Sequence, residues 1–204
     1  MQTCPIIVAD KATSLVLASS SPRRSKLLSE MGCEFYVQSA DIDESKNTSE
    51  SVNEYVLRLA EAKAMAVKPL LPDWSSSTAI LAADTIVAQG EKVFGKPRNR
   101  SHAFEIWQQL SNTQHSVITA VCLHAFDRTE LCLVSSDVEF AAINQYQMQR
   151  YWDSGEPQDK AGAYAIQGLA SAWVQLVHGS YSNIVGLPLR ETNQLLTRVQ
   201  LNWL

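Results

Sequence analysis

Short apolar runs alternate with amphipathic stretches along the chain, and this alternation predicts a protein that mixes strands and helices. The apolar runs predict strands at 15–18, 34–38, 79–88, 115–126, 131–140 and 172–178. Apolar positions at helical spacing predict a helix that begins at Pro22, three more at about 52–67, 101–110 and 145–153, and a closing helix after 189. The long strands between 115 and 140 are predicted to form an antiparallel pair.

The first strand runs into three serines, and this junction is the strongest candidate site. Pro22 then opens a helix that carries Arg23 and Arg24 in its first turn. The N–H groups at a helix start attract anions, and the serine hydroxyls and arginine cations strengthen that attraction. The pattern predicts an oxyanion site, with a polyphosphate as the expected ligand. The alternative is an ordinary strand–turn–helix with capping serines and solvated arginines.

Carboxylates mark two further stretches. Asp84 lies inside the apolar run 79–88, where a buried charge costs several kcal/mol unless it is paired or binds a metal. The structural alternative is an aspartate at a strand end or bulge that caps a neighbouring loop. Asp41, Asp43 and Glu44 form an acidic loop. Such loops are usually solvated, but beside a phosphate site carboxylates suit Mg²⁺.

Two lysines also have functional and structural interpretations. Lys63 lies on or near the buried side of the helix at 52–67, so it either extends to solvent or reaches into a site. Lys96, between Gly95 and Pro97, is either a solvated loop residue or a phosphate contact. The glycine-punctuated stretch 155–168 is long for a plain connection, which is typical of functional loops.

Composition excludes several classes of protein. A net charge of −4 argues against a general nucleic-acid binder, although a nucleotide site needs only a local cluster of cations. The four cysteines form no close pair, so we expect reduced thiols in the cytoplasm rather than zinc or disulfides. Neither a membrane span nor a signal peptide is predicted. We expect an N-terminal tail at 1–13 and a single domain at 14–204.

Taken together, these stretches resemble the Maf family of nucleotide pyrophosphatases. The resemblance extends from about Leu15 to Leu196 and follows the family's order of motifs. The matching segments are LVLASSSPRR at 15–24, LAEAKA at 59–64, ADTIV at 83–87, GKP at 95–97, EPQDKAGAYAIQG at 156–168 and NIVGLPL at 183–189.

The resemblance implies an α/β fold of the Maf and inosine triphosphatase-like type. In that fold a central mixed, bent sheet is flanked by helices, and a nucleotide cleft separates two lobes. The implied reaction is hydrolysis of a nucleoside triphosphate between the α and β phosphates. Asp84 would activate water, as a general base or through a metal, with Glu44, Lys63 and Lys96 beside it. Glu44 and Asp84 would hold a divalent ion, Mg²⁺ or Mn²⁺.

The implied substrate class is narrower than the family. Arg23, Thr85 and Gln167 match the subgroup that acts on dTTP and UTP, rather than the subgroup that acts on 7-methyl-GTP. The amide of Gln167 offers a donor and an acceptor that complement O4 and N3–H of thymine or uracil, and cytosine reverses that pattern. The remaining substrate-binding residues are expected to be Ser19, Ser21 and Arg24. Modified pyrimidine nucleotides remain open as substrates.

A second hypothesis belongs to another class. Because Maf-like proteins are linked to septum formation, the chain could be a nucleotide-responsive binding module in division control rather than a house-cleaning enzyme. Such a module would need the phosphate loop but not Asp84, so the presence of Asp84 with Glu44 favours an enzyme. The expected partner is the nucleoside triphosphate, and the oligomeric state stays open, with a homodimer as one candidate.

Overall fold

The computed structural model describes residues 14–71, 78–199 and 201. The predicted tail at 1–13 and residues 72–77 of a predicted polar loop lie outside this described part. The strands are β1 (Ser14–Leu17), β2 (Tyr36–Val37), β3 (Thr78–Gln89), β4 (Lys92–Phe94), β5 (Gln114–Ala125), β6 (Arg128–Phe140) and β7 (Val174–His178). The α-helices are α1 (Pro22–Glu30), α2 (Val52–Val67), α3 (Arg100–Leu110), α4 (Gln145–Asp153), α5 (Tyr181–Val185) and α6 (Leu189–Arg198).

The strands form one sheet in the order β2-β1-β3-β5-β6-β7, and β4 pairs with β3 outside this path. β1 is parallel to both β2 and β3, and the other pairs are antiparallel. The predicted antiparallel pair is therefore the β5–β6 hairpin. The prediction of a mixed sheet is confirmed.

Two different strands pair with the same edge of β3. β1 pairs with residues 78–81 and β4 pairs with residues 87–89, whereas β5 occupies the opposite edge along residues 80–88. Within the described chain, residues 82–86 of β3 therefore have no strand neighbour on the β1 and β4 side. This gap opens the sheet at its centre, where β3 places Asp84 and Thr85.

Alternate residues of each central strand face opposite sides of the sheet, and each side has its own core. Leu15 and Leu17 belong to the larger core, which includes side chains of α1, α3, α4 and α6. Val16 and Ala18 belong to the second core, in which α2 covers the sheet. Helices thus flank both faces, which confirms the predicted fold class.

The structure differs from the predicted elements mainly near the chain's later glycines. The stretch 155–168 contains two short 3-10 helices, Glu156–Asp159 and Ala161–Ala163. Gly155 and Gly162 have positive φ angles of 75° and 66°, so they permit these tight turns. Another 3-10 helix, Leu169–Trp173, includes the predicted start of the last strand, so β7 begins at Val174. In the described part of the chain, no helix is both long and apolar enough to cross a membrane.

Candidate active site

The gap beside β3 opens into a cleft with a volume of about 920 Å³. Its walls come from the loop between β1 and α1, the acidic loop before α2, the helix α2, the strand β3, the segment 159–167 and residues 184–186. The structure brings every predicted site residue to this cleft. These residues are Ser19, Ser21, Arg23, Arg24, Glu44, Lys63, Asp84, Thr85, Lys96 and Gln167.

A lysine and two carboxylates form the most tightly connected part of the cleft. The Lys63 Nζ lies 2.6 Å from an oxygen of Asp84 and 2.6 Å from an oxygen of Glu44. Asp84 is buried, with an exposed fraction of 7%. Its carboxylate is paired with the Lys63 ammonium, which offsets the cost of placing a charge inside an otherwise apolar strand. Of the two orientations predicted for Lys63, the structure shows the one that reaches into the cleft rather than the one that extends to solvent.

The geometry of the helix and strand explains why these two side chains meet. Asp84 lies on the same face of β3 as Ala82 and Ile86, which pack in the core beneath α2. Lys63 follows Leu59 and Ala60 on the covered side of α2. The Lys63 side chain is therefore long enough to reach from α2 to Asp84 on β3.

Glu44 comes from a loop without regular secondary structure, and α2 holds that loop in place. The Tyr55 hydroxyl donates to the backbone carbonyl of Glu44 at 2.7 Å. Burial raises the pKa of Glu44, but the hydrogen bond and charge of Lys63, together with the charges of Lys96 and Arg24, lower it below its usual value. Glu44 is therefore ionised at neutral pH.

On the opposite face of β3, Arg24 is held by protein acceptors. Its Nε donates to the Gly186 carbonyl at 2.8 Å, its Nη1 to the Ser19 hydroxyl at 3.2 Å and its Nη2 to the Thr85 hydroxyl at 3.0 Å. Burial lowers the pKa of Arg24, while the charges of Asp84 and Glu44 oppose this shift. Three of the five guanidinium N–H donors are used in this way, so two remain for a ligand.

The N-terminal end of α1 faces the same cleft. Ser21 is its N-cap residue, but the Ser21 side chain makes no capping hydrogen bond. The first turn of a helix leaves N–H groups without intrahelical partners, and these carry partial positive charge. Arg23 and the exposed Lys96 add full positive charges to the lining. This arrangement is suited to bind phosphate groups.

Comparison with known proteins agrees with these features. The model of the Maf family, described as Maf-like protein, matches residues 14–199. The chain belongs to the Maf family. Proteins named dTTP/UTP pyrophosphatase are similar to it: the one from Hahella chejuensis is 50% identical over 89% of this chain and 90% of its own length. Those from Pseudoalteromonas atlantica and Acinetobacter baylyi are 48% and 45% identical, over 92% and 90% of this chain and 97% and 98% of their own lengths.

Among solved structures, the chain is similar to the Ham1 protein of Staphylococcus aureus. The TM-score is 0.43 at 16% identity, over 63% of this chain and 72% of that one. A similarity of this size adds nothing to the assignment.

Three residues that line the cleft of this Maf-family chain were not among the site residues predicted from the sequence. Asp159 and Lys160 form an ion pair in the cleft wall, and the Lys160 side chain is only 15% exposed. Both lie in the same motif as Gln167, so their position beside it was the available signal. Tyr55, on α2, is the third of these residues. Burial, followed by the charges of Asp84 and Glu44, raises the pKa of Tyr55.

The predicted metal ligands form only part of a coordination shell. Among the described residues, no group of three or more His, Cys, Asp or Glu side chains is placed to hold a metal ion. Glu44 and Asp84 are the two carboxylates that meet at Lys63. Their hard oxygen atoms fit Mg²⁺ or Mn²⁺ if substrate phosphates supply further ligands, as is common for Mg²⁺ sites.

Proposed function

We propose that this protein hydrolyses pyrimidine nucleoside triphosphates, dTTP and UTP, to the monophosphate and pyrophosphate. One observation carries the proposal: the N-terminal end of α1, with its arginines, and a buried carboxylate–lysine cluster line the same cleft. The names of the similar proteins from Hahella, Pseudoalteromonas and Acinetobacter support this substrate class. A binding module would not need a buried catalytic carboxylate at that wall, so the arrangement favours an enzyme.

The triphosphate would bind at the start of α1, with the first-turn N–H groups, Ser21, Arg23 and Lys96 as donors. Fixed donors and cations stabilise the charge that builds up on phosphoryl oxygens in the transition state. Arg24, held by Ser19 and Thr85, would contribute its two remaining donors.

Asp84 would accept a proton from the attacking water, and the bond between the α and β phosphates would break to release pyrophosphate. The Lys63 ammonium donates a hydrogen bond to one oxygen of the Asp84 carboxylate, which leaves the other oxygen to accept the proton. Lys63 also fixes the position of the carboxylate, because its second contact with Glu44 restricts its own movement.

Glu44 and Asp84, together with the substrate phosphates, would hold Mg²⁺ or Mn²⁺. When bound, the ion would withdraw charge from the phosphoryl oxygens and help to activate water. The Glu44 carboxylate is ionised and 45% exposed in its side chain, so it can turn from Lys63 towards a ligand in the cleft.

The base would be recognised by Gln167, which is exposed in a turn and lines the cleft. Its amide can donate to O4 and accept from N3–H of thymine or uracil, and also of modified pyrimidines that keep this edge. Thymine and uracil present the same edge, which explains why one site would accept both dTTP and UTP.

The proposal is tested by changing Gln167 to Glu. The variant replaces the amide donor with a second acceptor, and an unpaired polar group costs about 1–3 kcal/mol. The new group is also charged, which places the cost in the upper part of that range. At about 1.4 kcal/mol per tenfold, kcat/KM for dTTP and UTP should therefore fall at least about tenfold. Gln175→Glu is the matched control, because this substitution makes the same change in charge at an exposed position on β7.

Unchanged kcat/KM in the Gln167→Glu variant would mean that Gln167 does not read the base. In the same assay, turnover should stop in EDTA and return when Mg²⁺ or Mn²⁺ is added. Full turnover in metal-free buffer would contradict the role given to the divalent ion.

A further inference from the structure

The turn that carries Gln167 is exposed towards the cleft, and hydrogen bonds to side chains outside the cleft lining fix its two ends. Gln167 lies in the turn 166–168, between Ala165 and Leu169. Both of these flanking residues donate their backbone N–H groups to a pair of side chains. The pair, Tyr151 and Glu156, is not part of the cleft lining.

Three hydrogen bonds connect the pair with the turn. The Tyr151 hydroxyl donates to the Glu156 Oε1 at 2.7 Å. The Ala165 N–H donates to the Tyr151 hydroxyl oxygen at 3.0 Å, and the Leu169 N–H donates to the Glu156 Oε2 at 3.1 Å. The pair thus accepts one backbone hydrogen bond on each side of Gln167.

The Tyr151 ring is rigidly placed. It is 3% exposed and packs against Trp107 and Trp173, with ring centroids 5.3 and 4.7 Å away. Burial, and then the hydrogen bond to Glu156, raise the pKa of Tyr151, so its hydroxyl keeps its proton and donates to the carboxylate. The ring therefore provides a fixed point in the core for the exposed turn.

Gly168 allows Glu156 to approach the turn this closely. A Cβ atom at Gly168 would lie 2.1 Å from the Glu156 Oε1 and 2.2 Å from its carboxyl carbon. No side chain fits there unless the carboxylate moves. The carboxylate and the backbone of the turn are therefore in direct contact.

We propose that Tyr151 and Glu156 are positioning residues for base specificity. They hold the turn 166–168 so that the Gln167 amide stays at a fixed place in the cleft. This inference rests on the proposed function, in which Gln167 reads the base. Because Asp84 and Lys63 lie on β3 and α2, the loss of the pair should relax base selection without removing the hydrolytic groups.

The test compares Tyr151→Phe and Glu156→Gln with the wild type, using UTP and CTP. A hydrogen bond is worth about fivefold in an equilibrium constant. We expect KM for UTP to rise about fivefold, kcat to stay within about twofold, and the UTP-to-CTP ratio of kcat/KM to fall about fivefold. Phe keeps the buried ring, and Tyr146→Phe on the same helix is the matched control, since Tyr146 is 73% exposed.

A double-mutant cycle with Gln167→Ala separates this inference from the proposed function. If the pair acts through Gln167, Tyr151→Phe should cause no further loss of selectivity in the Gln167→Ala background. An equal fall in kcat for UTP and CTP would overturn the positioning role, since that is the effect of a general structural defect. Unchanged selectivity in Tyr151→Phe and Glu156→Gln, with Gln167→Ala impaired, would overturn it as well. An unchanged UTP-to-CTP ratio in Gln167→Ala would instead contradict the proposed function, because Gln167 would then not read the base.

Discussion

At the scale of single residues, the Lys63 ammonium group offsets the repulsion between two neighbouring carboxylates. Asp84 and Glu44 approach each other in the cleft, and like charges at that range repel each other. Lys63 lies between them and pairs with both. The sequence placed each of the three residues in a separate motif, but only the fold shows that they share one contact.

Arg24 shows why a residue that breaks a local rule can be stable. A cation in the first turn of a helix opposes the helix dipole. Here the guanidinium donates to Gly186, Ser19 and Thr85, so its burial is compensated by three hydrogen bonds. Part of its role is therefore to tie α1 to β3 and to the residues after α5.

His115 allows a prediction about stability and pH. Its ring is 2% exposed and its Nε2 lies 2.8 Å from the Tyr164 hydroxyl. Burial lowers the pKa of His115 from 6.5 to about 4. The folded state therefore resists protonation more than the unfolded state does. The stabilisation is complete above pH 6.5 and is lost as the pH falls towards 4.

Between pH 7 and pH 4.5, His115 should lower the free energy of unfolding by about 2 kcal/mol. Urea denaturation at both pH values would measure this, with His115→Gln as the comparison. The variant should be less stable at pH 7 but should lose less stability on acidification. An identical pH dependence in the two proteins would show that the His115 pKa does not change on folding.

At the scale of elements, α2 organises the acidic loop that carries Glu44. The Arg58 guanidinium donates to both carboxylate oxygens of Glu50 at 2.9 and 2.7 Å, and to the Ser45 carbonyl at 2.8 Å. The hydrogen bond from Arg58 lowers the pKa of Glu50 to about 2. The pair therefore persists across the whole range in which an enzyme of this kind would be assayed.

Arg58→Met should release this loop and misplace Glu44, although Arg58 lies outside the cleft lining. We expect kcat to fall by about tenfold, because small misplacements of active-site groups are costly, while the thermal midpoint changes little. Arg198→Met is the matched control, since Arg198 forms an exposed ion pair with Glu130, and both residues are far from Glu44 in the sequence. Wild-type kcat in Arg58→Met would show that the loop holds Glu44 without this ion pair.

Elements with a clear period were predictable, whereas their pairings were not. The helix at 52–67 and the hairpin at 115–140 lie close to their predicted bounds because their apolar patterns are long. The pairing of both β1 and β4 with one edge of β3 joins residues far apart in sequence, and no local pattern encodes it. The gap that forms the cleft follows from that pairing, so it could be expected only through family resemblance.

At the scale of the whole molecule, the local charge of the cleft differs from the net charge of the chain. The chain carries a net charge of −4. The described lining of the cleft has five cationic side chains (Arg23, Arg24, Lys63, Lys96 and Lys160) against four carboxylates (Asp41, Glu44, Asp84 and Asp159). With the N-terminal end of α1, this excess of cations favours a polyphosphate in an otherwise acidic protein.

The central proposal is that Asp84 in this cleft drives cleavage between the α and β phosphates. The most direct measurement is ³¹P NMR of the products formed from dTTP by the wild type and by Asp84→Asn. The wild type should produce the monophosphate and pyrophosphate, and Asp84→Asn should do so about 10²- to 10⁴-fold more slowly. Formation of the diphosphate and orthophosphate by the wild type, or an undiminished rate in Asp84→Asn, would contradict the proposal.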